Sequence, residues 1–284
     1  MNTTSLARIA CITGANHGIG LALTQQLLEQ QWQVIAIIRS SFATDDIQIQ
    51  QAIQDQRLRI YVADVSDFEQ LRTALTQIQA QETHIDILYN NAGGSYPELS
   101  FSPQGRELHF DTQTVAPYII LKELEQLIQQ GTLRTVINTS SAVFATLLTF
   151  DPDQLEHPTK FKPLFGAYAT AKLALSLWTF ERASEFEHHK GIKLLSVDPG
   201  GNNTLRSGKR SGIPFFIKIL TRLFFPAPTR GASLLYEAAL GENHSLFVAG
   251  DYIVKGKSAP LKFKQIAPVI SEKVHRIYEQ EYKR

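Results

Sequence analysis

The sequence predicts an α/β fold: a parallel sheet with helices on both faces. Three observations carry this. Short apolar runs alternate with longer segments of helical period, and several runs are apolar at consecutive positions, as strands covered on both faces require. The first strand-to-helix junction is a glycine-rich loop. Alternation of this kind implies right-handed βαβ units, with no internal repeat or linker to divide residues 1–284 into more than one domain.

Taken in order, the first run, 9–13, holds the one cysteine, Cys11, which reads as a structural thiol of a buried strand in a reducing compartment. "TGANHGIG" (13–20) follows it and opens a helix over 19–31. Gly14 permits a tight turn, Gly18 lets backbone approach a pyrophosphate, and Gly20 allows close helix–strand packing. The helix N-terminus offers N–H groups and a positive dipole end, so Gly14, Asn16, His17, Gly18, Ile19 and Gly20 form the expected dinucleotide cradle. The second run, 34–38, ends in Arg39-Ser40-Ser41, where an NAD site usually carries an acidic residue for the ribose 2′-hydroxyl. Arg39, with Ser40 beside it and His17 in the loop, suits a 2′-phosphate, so NADP(H) is expected over NAD(H).

A Gln-rich helix is expected over 44–55, a third strand at 60–63 and a helix at 67–81. Strands at 85–89, 135–139, 194–197 and 247–254 alternate with helices at 104–130, 166–189 and 228–240, and a last helix lies near 266–283. "AYATAK" (167–172) places a phenol and an ammonium four residues apart on an Ala-rich helix, on one face and about 6 Å apart along the axis.

Composition bounds the function. An apolar fraction of 43% and a charged fraction of 19% are ordinary for a globular protein, and a net charge of +1 gives no pull toward nucleic acid. The N-terminus has no apolar segment of signal-peptide length, and no segment reads as a membrane-spanning helix, so the expected address is the cytoplasm. The histidines fall at no metal-ligand spacing.

With these residues in place, the chain resembles a short-chain dehydrogenase/reductase. The glycine loop, "NNAG" (90–93), the serine-bearing strand "VINTSSA" (136–142), Tyr168-x-x-x-Lys172 and Pro199-Gly200 stand in that family's order. The spacing is most similar to the carbonyl-reductase and retinol-dehydrogenase-like branch. The resemblance implies a doubly wound seven-stranded Rossmann-type sheet with the active site at the strands' C-terminal ends. It implies that Asp64 and Val65 contact adenine, that Asn91, Ala92 and Gly93 pass the ribose, and that Asp198, Pro199, Gly200 and Thr204 lie along the nicotinamide. Ser141 matches the catalytic serine, with Ser140 as the alternative, and Tyr168 and Lys172 match the catalytic pair that also touches the cofactor.

A carbonyl that accepts hydride must gain a proton, which needs an acid within hydrogen-bond reach. The expectation is that Lys172 favours the Tyr168 phenolate and lowers the phenol's pKa by about 1–3, while Ser141 donates to the substrate oxygen. One member departs from the family's tetrad: aligning 105–121 puts Gln113 where an Asn is usual. Either a proton relay is rebuilt around Gln113, or a weakened catalyst is retained for binding.

The stretch 147–165, between Ser141 and Tyr168, is expected as a surface excursion near the pocket rim. The polar 205–212 and apolar 213–226 are expected as a substrate lid over about 205–227, suited to a hydrophobic carbonyl compound. A helix packed on the domain and a shallow membrane contact are the other readings of this segment. The leading functional expectation is an NADP(H)-dependent carbonyl/alcohol oxidoreductase. A non-catalytic NADP-binding sensor and a nicotinamide-using epimerase or dehydratase stand beside it. Family resemblance also implies a homodimer or homotetramer.

Overall fold

The computed structural model describes residues 7–42, 45–203, 212–214 and 226–284. Among them lie eight strands: β1 Ile9–Thr13, β2 Gln33–Ile38, β3 Leu58–Val62, β4 Ile87–Asn90, β5 Thr135–Thr139, β6 Lys193–Asp198, β7 Tyr252–Val254 and β8 Lys257–Ala259. They form one sheet in the order β3-β2-β1-β4-β5-β6-β7-β8. β1 to β7 run parallel, and β8 is antiparallel to β7. The order reverses between β1 and β4, and in open α/β sheets a ligand crevice forms outside the strand ends at such a switch point.

The central strands are apolar throughout because both faces are covered. Cys11, Ile35 and Ile37 point into one core, and Ala10, Ile12, Val34 and Ala36 into the other. The second core is closed by α1 (Gly18–Glu29) and α8 (Pro228–Leu240), through Leu23, Leu27 and Leu235. The first is closed by α3 (Phe68–Gln81), α5 (Ala116–Glu123), α7 (Ala169–Lys190) and α9 (Ala267–Ile277). The Gln-rich segment forms α2 (Ile47–Gln54), capped by Asp46, whose carboxylate accepts the N–H groups of Gln48 and Ile49.

Three elements depart from the expected pattern. The run 247–254 yields only three strand residues, and the chain then doubles back into an eighth, antiparallel strand. Lys255 and Gly256 both have positive φ (52° and 73°), the backbone that a tight two-residue hairpin turn needs. The helix expected over 104–130 is broken into α4 (Leu108–Phe110), a wide π turn (Asp111–Val115), α5 and α6 (Glu125–Gln130). Pro117 has no N–H to give the Gln113 carbonyl, and the turn widens there, with the Ala116 N–H bonding back to Asp111.

The third departure is at "AYATAK". A π turn at Pro163–Tyr168 precedes α7, so Tyr168 closes a wide turn and Lys172 lies in the first turn of the helix proper. α7 ends at Gly191 (φ 66°), where the N–H groups of Gly191 and Ile192 cap the last carbonyls. The excursion 147–165 is tied down rather than merely draped on the surface. Phe150 and Leu155 are buried, Lys273 pairs with Glu156 at 2.6 Å, and the Glu107 N–H bonds the Glu156 carbonyl.

Candidate active site

Strand register brings the C-terminal ends to a common edge: Ile12 opposes Tyr89, Asn90 opposes Asn138, Thr139 opposes Val197, and Asp198 opposes Val254. The glycine loop leaves β1 there. Gly14 and Gly18 adopt left-handed φ of 69° and 52°. A Cβ on Gly20 would stand 2.2 Å from the Gly14 carbonyl oxygen, so α1 can begin against its own loop only with glycine at that position. His17 is the extended residue that starts α1, and its side chain does not cap the helix. Asn16 is buried and its amide donates to the carbonyls of Ser40 (2.8 Å) and Ser41 (3.2 Å), fastening the loop to the end of β2.

Thr13 fixes the neighbouring loop, and sequence reasoning missed it. Its hydroxyl accepts the N–H groups of Asn91 (2.9 Å) and Ala92 (2.8 Å), and the Asn91 amide donates back to its carbonyl at 3.1 Å. Asn90 donates to Asn138 at 2.8 Å, and Asn138 to Thr179 at 2.8 Å, so the ends of β4 and β5 and the middle of α7 share one buried chain of hydrogen bonds. These side chains hold the start of the loop after β4, whose next residues, Ala92, Gly93 and Gly94, are small.

At the adenosine end Arg39 is exposed over 59% of its side chain and reaches Asp64 at 3.4 Å. Asp64 also caps the next turn, accepting the Ser66 N–H (3.0 Å) and hydroxyl (2.7 Å), while Val65 is buried. Arg39 and Asp64 therefore meet each other at the edge where they are expected to meet a nucleotide.

Tyr168 is half-buried, with the Ser141 hydroxyl within hydrogen-bonding reach of its phenol and the Lys172 amine 5.9 Å from its ring centre. Ser141 also caps a short 3-10 turn, accepting the Val143 N–H at 3.3 Å. Ser140, the alternative serine, is buried with its hydroxyl 2.7 Å from that of Ser176 in the core. Lys172 is buried and donates to the Thr139 carbonyl at 2.6 Å.

The expected electrostatics of the pair are corrected here. Burial pushes the Tyr168 phenol up to about 12, the Ser141 hydroxyl opposes this, and the nearby Asp198 carboxylate adds to it. Burial likewise pushes Lys172 down to about 7. An i,i+4 ammonium would favour phenolate only if it kept its charge, and removing both groups from water works against charge on each. In the protein alone the phenol is a secure acid, and the lysine sits near its own neutral form.

Gln113 is fully buried and turns away from Lys172. Its Nε2 donates to the Gly94 carbonyl at 3.1 Å, its Oε1 has no partner, and among the described residues no hydrogen bond joins it to Lys172. Gly93 makes this possible, since a Cβ there would lie 2.7 Å from the Gln113 side chain.

One further feature was outside the sequence reading. His109 is buried beside Tyr168, ring centres 6.2 Å apart. Its Nε2 accepts the Tyr96 N–H at 2.9 Å, which places its proton on Nδ1 for Glu107 at 2.6 Å. A Glu-x-His pair before a long helix carries no signal that would have found it. Asp198, of the segment that the resemblance sets along the nicotinamide, is a buried carboxylate immediately before Pro199-Gly200, with Gly200 at φ 73°.

Thr204 and most of the expected lid lie outside the described residues; within it, Gly212 is buried and its N–H bonds the Ser95 carbonyl at 2.8 Å. No helix among the described residues is long and apolar enough to cross a membrane.

The loop fits a nicotinamide dinucleotide on the structure's own terms. Gly14 and Gly18 hold left-handed backbone, Gly14 lies against Ala92, and a Cβ built on Gly94 of the neighbouring loop meets nothing within 4 Å.

Comparison with known proteins agrees with this fold. The short chain dehydrogenase family profile matches residues 8–147. The chain is 27% identical over 240 residues to retinol dehydrogenase 11 of Homo sapiens, covering 83% of this chain and 73% of that protein. Identity to retinol dehydrogenase 12 of Mus musculus is 26% over 242 residues, covering 83% and 74%. A short-chain dehydrogenase/reductase of Pestalotiopsis fici, iacJ, is 33% identical over 135 residues, of which the chain spans 40% of the relative's length. Among solved structures, a short-chain dehydrogenase from Streptomyces avermitilis superposes with TM-score 0.65 at 21% identity, covering 99% of this chain and 97% of that one. An oxidoreductase from Brucella ovis, in complex with a partially ordered NAD, gives TM-score 0.58 at 22% identity, covering 87% and 98%.

Proposed function

We propose, for a chain that belongs to the short-chain dehydrogenase/reductase family in its retinol-dehydrogenase-like branch, an NADP(H)-dependent interconversion of a small hydrophobic carbonyl compound and its alcohol. The reading is supported by the cluster of Tyr168, Ser141 and Lys172, at the same end of the parallel strands as the glycine loop. A bound nicotinamide supplies or accepts the hydride. The residues of this chain do the rest.

The Gly14–Gly20 backbone and the start of α1 would hold the phosphates, and Arg39 would leave Asp64 for a 2′-phosphate. The Ser141 hydroxyl donates to the substrate oxygen as negative charge develops there. Tyr168, held protonated by burial, gives that oxygen its proton; in the reverse direction it takes one back, aided when Lys172 carries its charge. Lys172 is buried at the Thr139 carbonyl, placed to bridge the phenol and a ribose hydroxyl.

A second reading, an NADP-binding protein without turnover, is favoured by one observation: the Gln113 amide is committed to Gly94 and not to Lys172. NADPH consumption with a panel of ketones, aldehydes, retinoids and steroids separates the two. Turnover abolished by Tyr168→Phe supports the enzyme; tight NADPH binding with no turnover on any carbonyl supports the binding protein.

A further inference from the structure

Asn202 lies shortly past the end of β6, is buried, and has both ends of its side-chain amide engaged. Its Nδ2 donates to the Pro199 carbonyl at 2.8 Å and to the Gly200 carbonyl at 2.9 Å, and its Oδ1 accepts the Gly231 N–H at 2.9 Å. These partners fix which way the amide faces. Turned over, it would set an oxygen against two carbonyls and a nitrogen against an N–H.

The two sets of partners belong to different elements. Pro199 and Gly200 begin the turn that leaves β6, and β6 pairs with β5, the strand that leads to Ser141; the Ser140 N–H bonds the Val197 carbonyl at 2.8 Å. Gly231 lies in the first turn of α8, whose N-cap residue, Ala227, makes no side-chain cap. Asn202 supplies that acceptor from outside the helix. Position 231 is matched to it: a Cβ there would stand 2.7 Å from Nδ2 and 2.9 Å from Oδ1, so glycine lets the amide lie on the helix. Beside this contact the Asn203 N–H bonds the Pro226 carbonyl at 2.9 Å. Within the turn the Gly200 N–H bonds the Asp198 carboxylate at 3.1 Å, a bond that does not tie it to another element. The Asn202 amide does.

We propose that Asn202 is a positioning residue for the nicotinamide half of the cofactor: its amide clasps the Pro199–Gly200 turn to the start of α8 and so sets where that turn's backbone meets the ring. The inference rests on the function proposed above, under which this turn lies along the nicotinamide. Asn202 acts through the turn, since its amide is committed to protein partners.

Asn202→Asp separates the two ends of the clasp. A carboxylate keeps an acceptor for the Gly231 N–H and has no donor for the two carbonyls. NADPH affinity, by fluorescence titration, should fall about tenfold, the order that two lost hydrogen bonds produce. Adenosine 2′,5′-bisphosphate, which lacks the nicotinamide half, should bind native protein and variant equally well. Equal losses for both ligands mean a general loosening and overturn the proposal; no loss for either means the turn holds its place without the clasp, and overturns it too.

Hydrogen exchange separates this from failure of the functional reading. The amides of residues 200–203 should exchange several-fold faster in Asn202→Asp, while Gly231 stays protected. If the native protein binds neither ligand, the cofactor reading falls and the faster exchange still upholds the clasp; no acceleration sinks the clasp whatever binds. Should Asn202→Asp not fold, Gly231→Ala crowds the amide from the helix side and should show the same split between the two ligands, with equal losses again overturning the proposal.

Discussion

The two ends of the crevice are built on opposite principles. At the β5–β6 end Lys172, Asp198 and His109 are all buried, each held by a short, directed hydrogen bond. At the β2–β3 end Arg39 is largely in solvent and touches Asp64 at 3.4 Å. Desolvation governs the first end, because burial moves the phenol and the amine more than they move each other. At the second end water screens the charges, and exposed pairs are worth about 0–1 kcal/mol. Under the proposed function, the buried end would be where chemistry is fixed, and the exposed end where cofactor choice could be exchanged at small cost.

Substitutions at each end sharpen or break this contrast. The largest effect belongs to Tyr168→Phe, which should lower turnover at least about 10²-fold, the range of an acid–base group, with NADPH affinity by fluorescence titration nearly unchanged. Full activity in that variant breaks the buried end of the comparison. Next comes Arg39→Asp, which should reverse the ratio of kcat/KM with NADPH to that with NADH, by roughly 10–100-fold for lost charge-assisted bonds. Equal use of both cofactors by the native protein removes the exposed end's role.

Gly20→Ala tests the junction between the ends, since its Cβ would meet the Gly14 carbonyl at 2.2 Å. Thermal unfolding should show a loss of about 1–3 kcal/mol, as for other overpacked sites.

Lys172→Met reads desolvation directly. Because the folded-state value is pushed below the ordinary lysine value, to about 7, the native protein carries its penalty in full below that pH and sheds it as pH rises toward the ordinary value. The gain in Tm from Lys172→Met should be greatest at pH 6 and shrink by pH 10; a gain that grows with pH contradicts a desolvated amine. The smallest effect is expected of Gln113→Asn, a change in turnover under roughly threefold, less than 1 kcal/mol. A large gain would mean that the native glutamine holds catalysis back.

Much of the fold was legible because β1 and β2 announce themselves: consecutive apolar residues have no other economical use than a strand covered on both faces. The antiparallel β8 was not, since Lys257–Ala259 carries no apolar signal and is recruited by the Lys255-Gly256 turn. Pro117 was visible, yet its consequence was not; a break at one carbonyl becomes a π turn only when the flanking helical segments are both held by the core.

At the site, spacing and order located Tyr168, Lys172 and Ser141, but the balance between burial and charge depends on what surrounds them. That is why the expected lowering of the phenol reversed in the folded chain. Thr13 and His109 escaped notice because their partners, Asn91 and Glu107 with Tyr96, matter only through distances that a sequence does not state.

Thr13 carries a consequence of its own. One hydroxyl gathers the amides that begin the β4 loop, from the strand that launches the glycine loop. The two halves of the crevice thus share this fastening, backed by the Asn91 amide on the Thr13 carbonyl, and slack introduced there would be felt by both. Valine has nearly the same outline but no side-chain oxygen, so at this position it would leave the interior shape intact and remove two of the three hydrogen bonds that Thr13 makes to the β4 loop.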